Sequence, residues 1–133
     1  MMEVKVFSHQ RFRDTCDPEL LKDITARFIA YKRHGIRHET FGDDRPYFRP
    51  ESIRDTDLRH IHIRDASSKN WDLRYIRLED KTSDTALIYT RGYLNPGYYL
   101  LISFLKDAHR HYGGTEQYIR AMAEIARKFR DRY

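Results

Sequence analysis

Hydrophobic positions recur with two periods along this chain. Leu20, Leu21, Ile24, Phe28 and Tyr31 fall at helical spacing and predict one apolar helix face. Asp17-Pro18-Glu19 opens that helix, with Asp at the N-cap, Pro at the first helical position and Glu at the positive end of the dipole. Gly35 stops it, after the cations Lys32, Arg33 and His34. A second stripe, Ile119, Met122, Ala123, Ala126 and Phe129, predicts a last helix starting at Thr115. Strand-like runs lie between: Leu58 to Arg64, where Ile61 and Ile63 alternate with His60 and His62; Ala86 to Thr90; and Tyr98 to Leu105 after the turn Asn95-Pro96-Gly97. Val4 to Phe7 reads as a short first strand.

Strand, helix, three meandering strands and helix make an α+β domain, a small antiparallel sheet with N-terminal and C-terminal helices packed on it. Two stretches resist the pattern. Residues 36–56, punctuated by Gly42, Asp43, Asp44, Pro46 and Pro50, read as a long irregular loop. Residues 65–80 are ambiguous, with Leu73, Tyr75 and either Arg77 or Leu78 able to form an extra strand.

Composition narrows the class. A length of 133 residues suits a single domain spanning 1–133, and 40% hydrophobic with 14% aromatic residues argues against disorder. No apolar run approaches a membrane span, and Met1 to Phe7 lacks the features of a signal peptide. The lone Cys16 excludes an internal disulfide framework and fits a reducing cytoplasm. Lys and Arg number 25 against 20 acids, a net charge of +5, and 18 of the cations are Arg. Arg suits bidentate phosphate contacts and stacking on bases, so nucleic acid is the leading partner. The excess sits at the two ends: residues 1–38 carry 8 basic and 5 acidic side chains, and residues 106–133 carry 7 and 4. Ends that meet in space make one basic surface.

A family resemblance enters here. Phe28 to Ile36, then Phe41-Gly42-Asp43-Asp44, His60-Ile61-His62-Ile63, Leu87-Ile88-Tyr89, Leu100-Leu101-Ile102 with Leu105-Lys106, and Phe129 to Tyr133 resemble, in that order and spacing, the YafO family of toxins from bacterial type II toxin–antitoxin pairs. The resemblance covers roughly residues 20 to 133. It implies an mRNA interferase that associates with the ribosome and cuts messenger RNA during translation, and a cognate antitoxin that neutralises it. It also implies a RelE-like fold, in agreement with the predicted element order. RelE-like toxins tend to use Lys, Arg and Tyr where other ribonucleases use His and Glu.

RNA cleavage without a metal must deprotonate the ribose 2′-OH, neutralise the phosphorane and protonate the leaving 5′-oxygen. Lys106, at the end of the last strand, and His109, in the loop after it, match the family and are first choices for phosphate stabilisation and proton transfer. The same loop, with His111 as a further RNA contact, is equally readable as a solvated basic segment. His60 and His62 share a strand face and, with helices on one side of the sheet, line the open side as base or orienting groups. A half-exposed strand carries such residues without functional reason too. Tyr89 is either a base-stacking ring or a core tyrosine, and Arg91 beside it suits a phosphate. Arg130, Arg132 and Tyr133 read as a mobile basic terminus entering an RNA groove, although the helix dipole alone favours Arg there. Paired histidines raise a metal site, but no cysteine pair supports it. The reading is therefore an endoribonuclease with neither metal nor organic cofactor. Its rivals are a non-catalytic ribosome- or RNA-binding blocker of translation and a toxin of this fold with a non-RNA target such as a topoisomerase.

Overall fold

The structure, a computed structural model, describes residues 3–106 and 115–133. Five strands form one sheet: β1 (Lys5–Ser8), β2 (Phe41–Pro46), β3 (Arg59–Ile63), β4 (Ala86–Arg91) and β5 (Tyr98–Leu105), in the order β1-β5-β4-β3-β2. Strands β2 to β5 pair antiparallel, as expected of an α+β domain. Strand β1 adds to the β5 edge in parallel, with Val6 opposite Tyr99. A crossover from β1 to β5 contains nearly the whole chain, which no local pattern announces.

Helix α1 (Gln10–Thr15) follows β1 at once, and α2 (Pro18–His34) follows α1. The ends of α2 are those the sequence predicts: the Asp17 carboxylate accepts from the Glu19 and Leu20 amides, and Gly35 is left-handed at φ 68°. Ile24 and Phe28 are fully buried. They pack with Phe12 of α1 against Phe41, Ile61, Leu87, Tyr89, Leu101 and Phe104 of the sheet. Helix α3 (Thr115–Arg132) seals the opposite face, where Ile119, Met122, Ala123, Ala126 and Phe129 meet Ile88, Leu100, Ile102 and Leu105. Helices thus cover both faces of the sheet, and the open side expected for His60 and His62 is instead the α3 side.

Residues 36–56 are more ordered than their turn-like composition suggests. They contain β2 and a 3₁₀ turn at Glu51–Thr56. Gly42 permits β2 because a Cβ there would lie 2.2 Å from the Lys81 carbonyl oxygen and 2.6 Å from the Trp71 ring. The strand pairing is irregular between Phe41 and Asp44, which turns Asp44 inward beneath α2. Residues 65–80 form no strand; they make turns and a 3₁₀ segment at Leu78–Asp80, leaving Leu73 and Tyr75 exposed. No helix among the described residues is long and apolar enough to cross a membrane.

Candidate functional site

Asp44 is the centre of a polar network sunk between α2 and the sheet. Its Oδ2 accepts from the Tyr31 hydroxyl at 2.7 Å and from Lys32 Nζ at 3.4 Å. Its Oδ1 accepts from the Tyr89 hydroxyl at 2.7 Å. Lys32 Nζ and Arg59 Nε both donate to the Tyr89 oxygen, at 3.2 and 3.3 Å. Helical spacing explains the first half: Phe28 and Tyr31 point α2 at the sheet, and Lys32 follows on the same side. Strand register explains the second, because Arg59 sits opposite Tyr89 and Asp44 opposite Ile61. Burial pushes the Asp44 carboxyl up, but Lys32, the two hydroxyls and Arg59 together outweigh it and hold Asp44 below its ordinary value. Burial first, then Asp44, raises both tyrosines, Tyr31 to about 12 and Tyr89 well above its ordinary value, so both hydroxyls stay protonated donors.

Arg59 links this network to a second carboxylate. Its Nη1 donates to Asp57 Oδ1 at 3.3 Å, and Arg91 Nε donates to Asp57 Oδ2 at 2.7 Å. Arg130 reaches over from α3, with Nη1 3.6 Å from Asp57 Oδ2 and 2.9 Å from the Arg91 carbonyl oxygen, to which it donates. The buried Thr90 hydroxyl donates to the Thr56 and Asp57 carbonyls and fixes the backbone of Asp57, which is left-handed at φ 48°. Four cations from α2, β3, β4 and α3 therefore share two carboxylates in one continuous row. Arg91 is its most exposed member, with 47% of its side chain accessible. Arranged so, guanidinium groups can hold a phosphate and neutralise charge developing on it.

The histidine pair lies elsewhere. His60 stacks on Tyr47, ring centroids 4.2 Å apart, and meets His62 edge-on at 5.2 Å. Burial, then the neighbouring His62, lowers His60 to about 4, so it is neutral at physiological pH. His62 Nδ1 accepts from the Ser83 amide at 3.0 Å. Lys106 is exposed at the end of β5, its Nζ 5.9 Å from the Phe104 ring, on the α1 side of the sheet rather than the His60 side. Arg91 pairs with Tyr99, so Lys106 stands seven residues further along β5, about 20 Å away at the rise of a strand. One phosphate cannot touch both ends. His109 and His111 lie outside the described residues.

Two readings change. Tyr89 is fully buried with its hydroxyl committed to Asp44, so the core reading holds and no base can stack on it from solvent. Tyr133 is not a loose tail: its ring stacks on Phe7 at 5.4 Å, and its main-chain oxygen accepts from the Leu94 and Asn95 amides. Arg132 borders a groove with Phe7, His9 and Lys128 beside that packed ring. Sequence reasoning passed over Lys32, Asp44, Asp57 and Arg59. Lys32 carried a signal as a cation next to the apolar stripe, and Asp44 as part of the family motif Phe41-Gly42-Asp43-Asp44; Asp57 and Arg59 depend on contacts across the sheet. Among the described residues, no three of His, Cys, Asp and Glu gather as a metal site would need.

Comparison with known proteins agrees with the resemblance read from the sequence. The family model described as Toxin YafO, type II toxin-antitoxin system, matches residues 29–131. The mRNA interferase toxin YafO of Escherichia coli (strain K12) is 30% identical over 134 aligned positions, which cover 98% of this chain and 100% of that relative. No solved structure matches the chain. The matched span runs from α2 through α3 and takes in every member of the cationic row, and with it the chain belongs to the YafO family of type II toxin–antitoxin toxins.

Proposed function

We propose that this chain is an mRNA interferase, an endoribonuclease that cuts messenger RNA on the ribosome in the cytoplasm and is neutralised by a cognate antitoxin protein. The name of the Escherichia coli relative supports the activity. The observation that carries the reading in this chain is the row Lys32–Asp44–Arg59–Asp57–Arg91–Arg130, four cations against two carboxylates, open to solvent at Arg91.

In the proposed reaction a ribose 2′-oxygen attacks the adjacent phosphorus as its proton leaves. The P–O5′ bond breaks and the departing 5′-oxygen takes up a proton, leaving a 2′,3′-cyclic phosphate. Arg91 and Arg130 meet the phosphorane oxygens, and Arg59 holds Asp57, the carboxylate that aims them. The proposed step needs no metal ion, because guanidinium groups can carry the phosphorane charge. Arg132 extends the positive surface along α3. Lys106 with His109 defines a second reading, in which the chemistry sits at the other end of β5. It is favoured by the exposure of Lys106 at a strand end, and His62 lies at that same end, opposite Ala86, whose other neighbour is Leu105.

The test is a reconstituted translation reaction on a defined message, with RNA 5′ ends mapped by primer extension. New internal ends from the wild type support the nuclease. Ribosomes stalled on intact message support a non-catalytic blocker and reject it. Loss of cutting in Arg91→Ala and Arg130→Ala, with Lys106→Ala and His109→Ala near wild type, places the chemistry at the arginine row; the reverse pattern moves it to the Lys106 end.

A further inference from the structure

The β4–β5 turn carries an aromatic ring that the core does not use. Tyr93 is 69% exposed, yet it is held in place. The Arg130 guanidinium lies 5.5 Å from its ring centroid. The turn that bears it is tied to the end of α3, because the Tyr133 main-chain oxygen accepts from the Leu94 amide at 2.9 Å, the Asn95 amide at 2.8 Å and the Asn95 side chain at 2.9 Å. Tyr133 is itself clamped by Phe7 and Phe129. A ring this exposed and this well anchored pays little ordering entropy when something flat lies on it.

Beside Tyr93 is a hollow of about 320 Å³, lined also by Asp55, Thr56, Arg127, Arg130 and Asp131. That volume accommodates a nucleobase. Its charge is mixed, two Arg with two Asp, so it is a poor phosphate site and a good site for a group with both donors and acceptors on its edge. Arg130 belongs at once to this hollow and to the Asp57 cluster. The hollow therefore adjoins the arginine row through the shared Arg130.

We propose that Tyr93 and this hollow form a base subsite, in which one unstacked base of the RNA strand lies on the Tyr93 ring with its edge toward Asp55 and Asp131. Arg130 then joins base recognition to phosphate binding, and guanine is the favoured base because its adjacent N1–H and N2–H₂ donors match a carboxylate. The inference rests on the ribonuclease reading and adds to it the residue that selects where the strand is cut.

The test uses the same translation reaction, with Tyr93→Ala and Tyr93→Phe, alongside binding of two uridine hexamers, one carrying a single guanosine, followed by fluorescence anisotropy. The alanine variant is expected to bind the guanosine hexamer about ten-fold more weakly, in line with the loss of a base stack. It is also expected to lose the preference of the wild type for cutting beside guanosine. Phenylalanine, which keeps the ring, is expected to retain both. A wild type that makes no new RNA ends sinks the nuclease reading. A wild type that cuts, beside a Tyr93→Ala that cuts at the same positions and rate, overturns the base subsite alone. Equal affinity of the wild type for the two hexamers overturns it as well. Unchanged RNA behaviour with weakened antitoxin binding overturns it too, and makes the turn a protein interface.

Discussion

The Tyr89 hydroxyl donates to Asp44 Oδ1 at 2.7 Å, joining β4 to β2 over the intervening strand β3. The bond adds a side-chain tie from the edge strand β2 to β4 beside the β2–β3 ladder, and Lys32 and Arg59 both donate to the same Tyr89 oxygen. The carboxylate is the element on which two cations and two hydroxyls converge, so its removal leaves several buried polar groups unmatched.

Asp44→Asn is expected to destabilise the fold by about 3 kcal/mol at pH 7, the range seen when one member of a buried pair is removed. The folded Asp44 pKa lies below its unfolded value, so its contribution is complete above about pH 4 and is lost as pH falls through the folded pKa. Urea unfolding of both proteins at pH 7 and at pH 3 checks this: the gap between them narrows at the lower pH.

His60 gives a pH dependence over a higher range. It is lowered from 6.5 to about 4, so between those values the unfolded chain binds more protons than the folded one. Stability from this group therefore rises as pH goes from about 4 to 6.5 and is flat above. His60→Phe, which keeps a ring to stack on Tyr47, is expected to abolish that slope in denaturation midpoints taken across this range.

Gly42→Ala is expected to cost about 2 kcal/mol or more, since the new methyl meets a backbone oxygen that cannot swing away. Trp71, whose indole donates to the Thr82 carbonyl at 2.9 Å, is pushed by the same methyl. A fall in thermal midpoint accompanied by a shift in Trp fluorescence is the outcome to look for.

Arg91→Ala is expected to weaken binding of single-stranded RNA and to reduce the slope of log K against log salt by about 1, the signature of one lost phosphate contact. Arg54→Ala, which removes an exposed arginine donating to the Phe48 carbonyl outside the row, is expected to leave the slope nearly unchanged. Titrations at four or five salt concentrations measure both.

Much of the fold was legible in the residues. Asp17, Pro18 and Gly35 bounded α2, the Ile119-to-Phe129 stripe predicted α3, and alternation with the Asn95-Pro96-Gly97 turn predicted β3 to β5, because these signals act within a few residues of where they are written. Strand β2 was not legible. Phe41-Gly42-Asp43-Asp44-Arg45-Pro46 has the composition of a turn, and it is a strand because Lys32 and Tyr89 donate to its Asp44 carboxylate, Arg59 pairs with it and Trp71 covers its glycine.

The site divides in the same way. Residue types and their order along the chain determined the class of protein, helices α2 and α3, most strands and the basic balance, since charge and periodicity are local properties. Only the folded chain decided that Tyr89 belongs to the interior and that Lys106 stands about 20 Å from Arg91. It also decided that Arg130 meets Arg91 over Asp57. Those relations are set by which strand lies beside which and by the face each helix covers, and such pairings join residues far apart in sequence through contacts that neither partner signals alone.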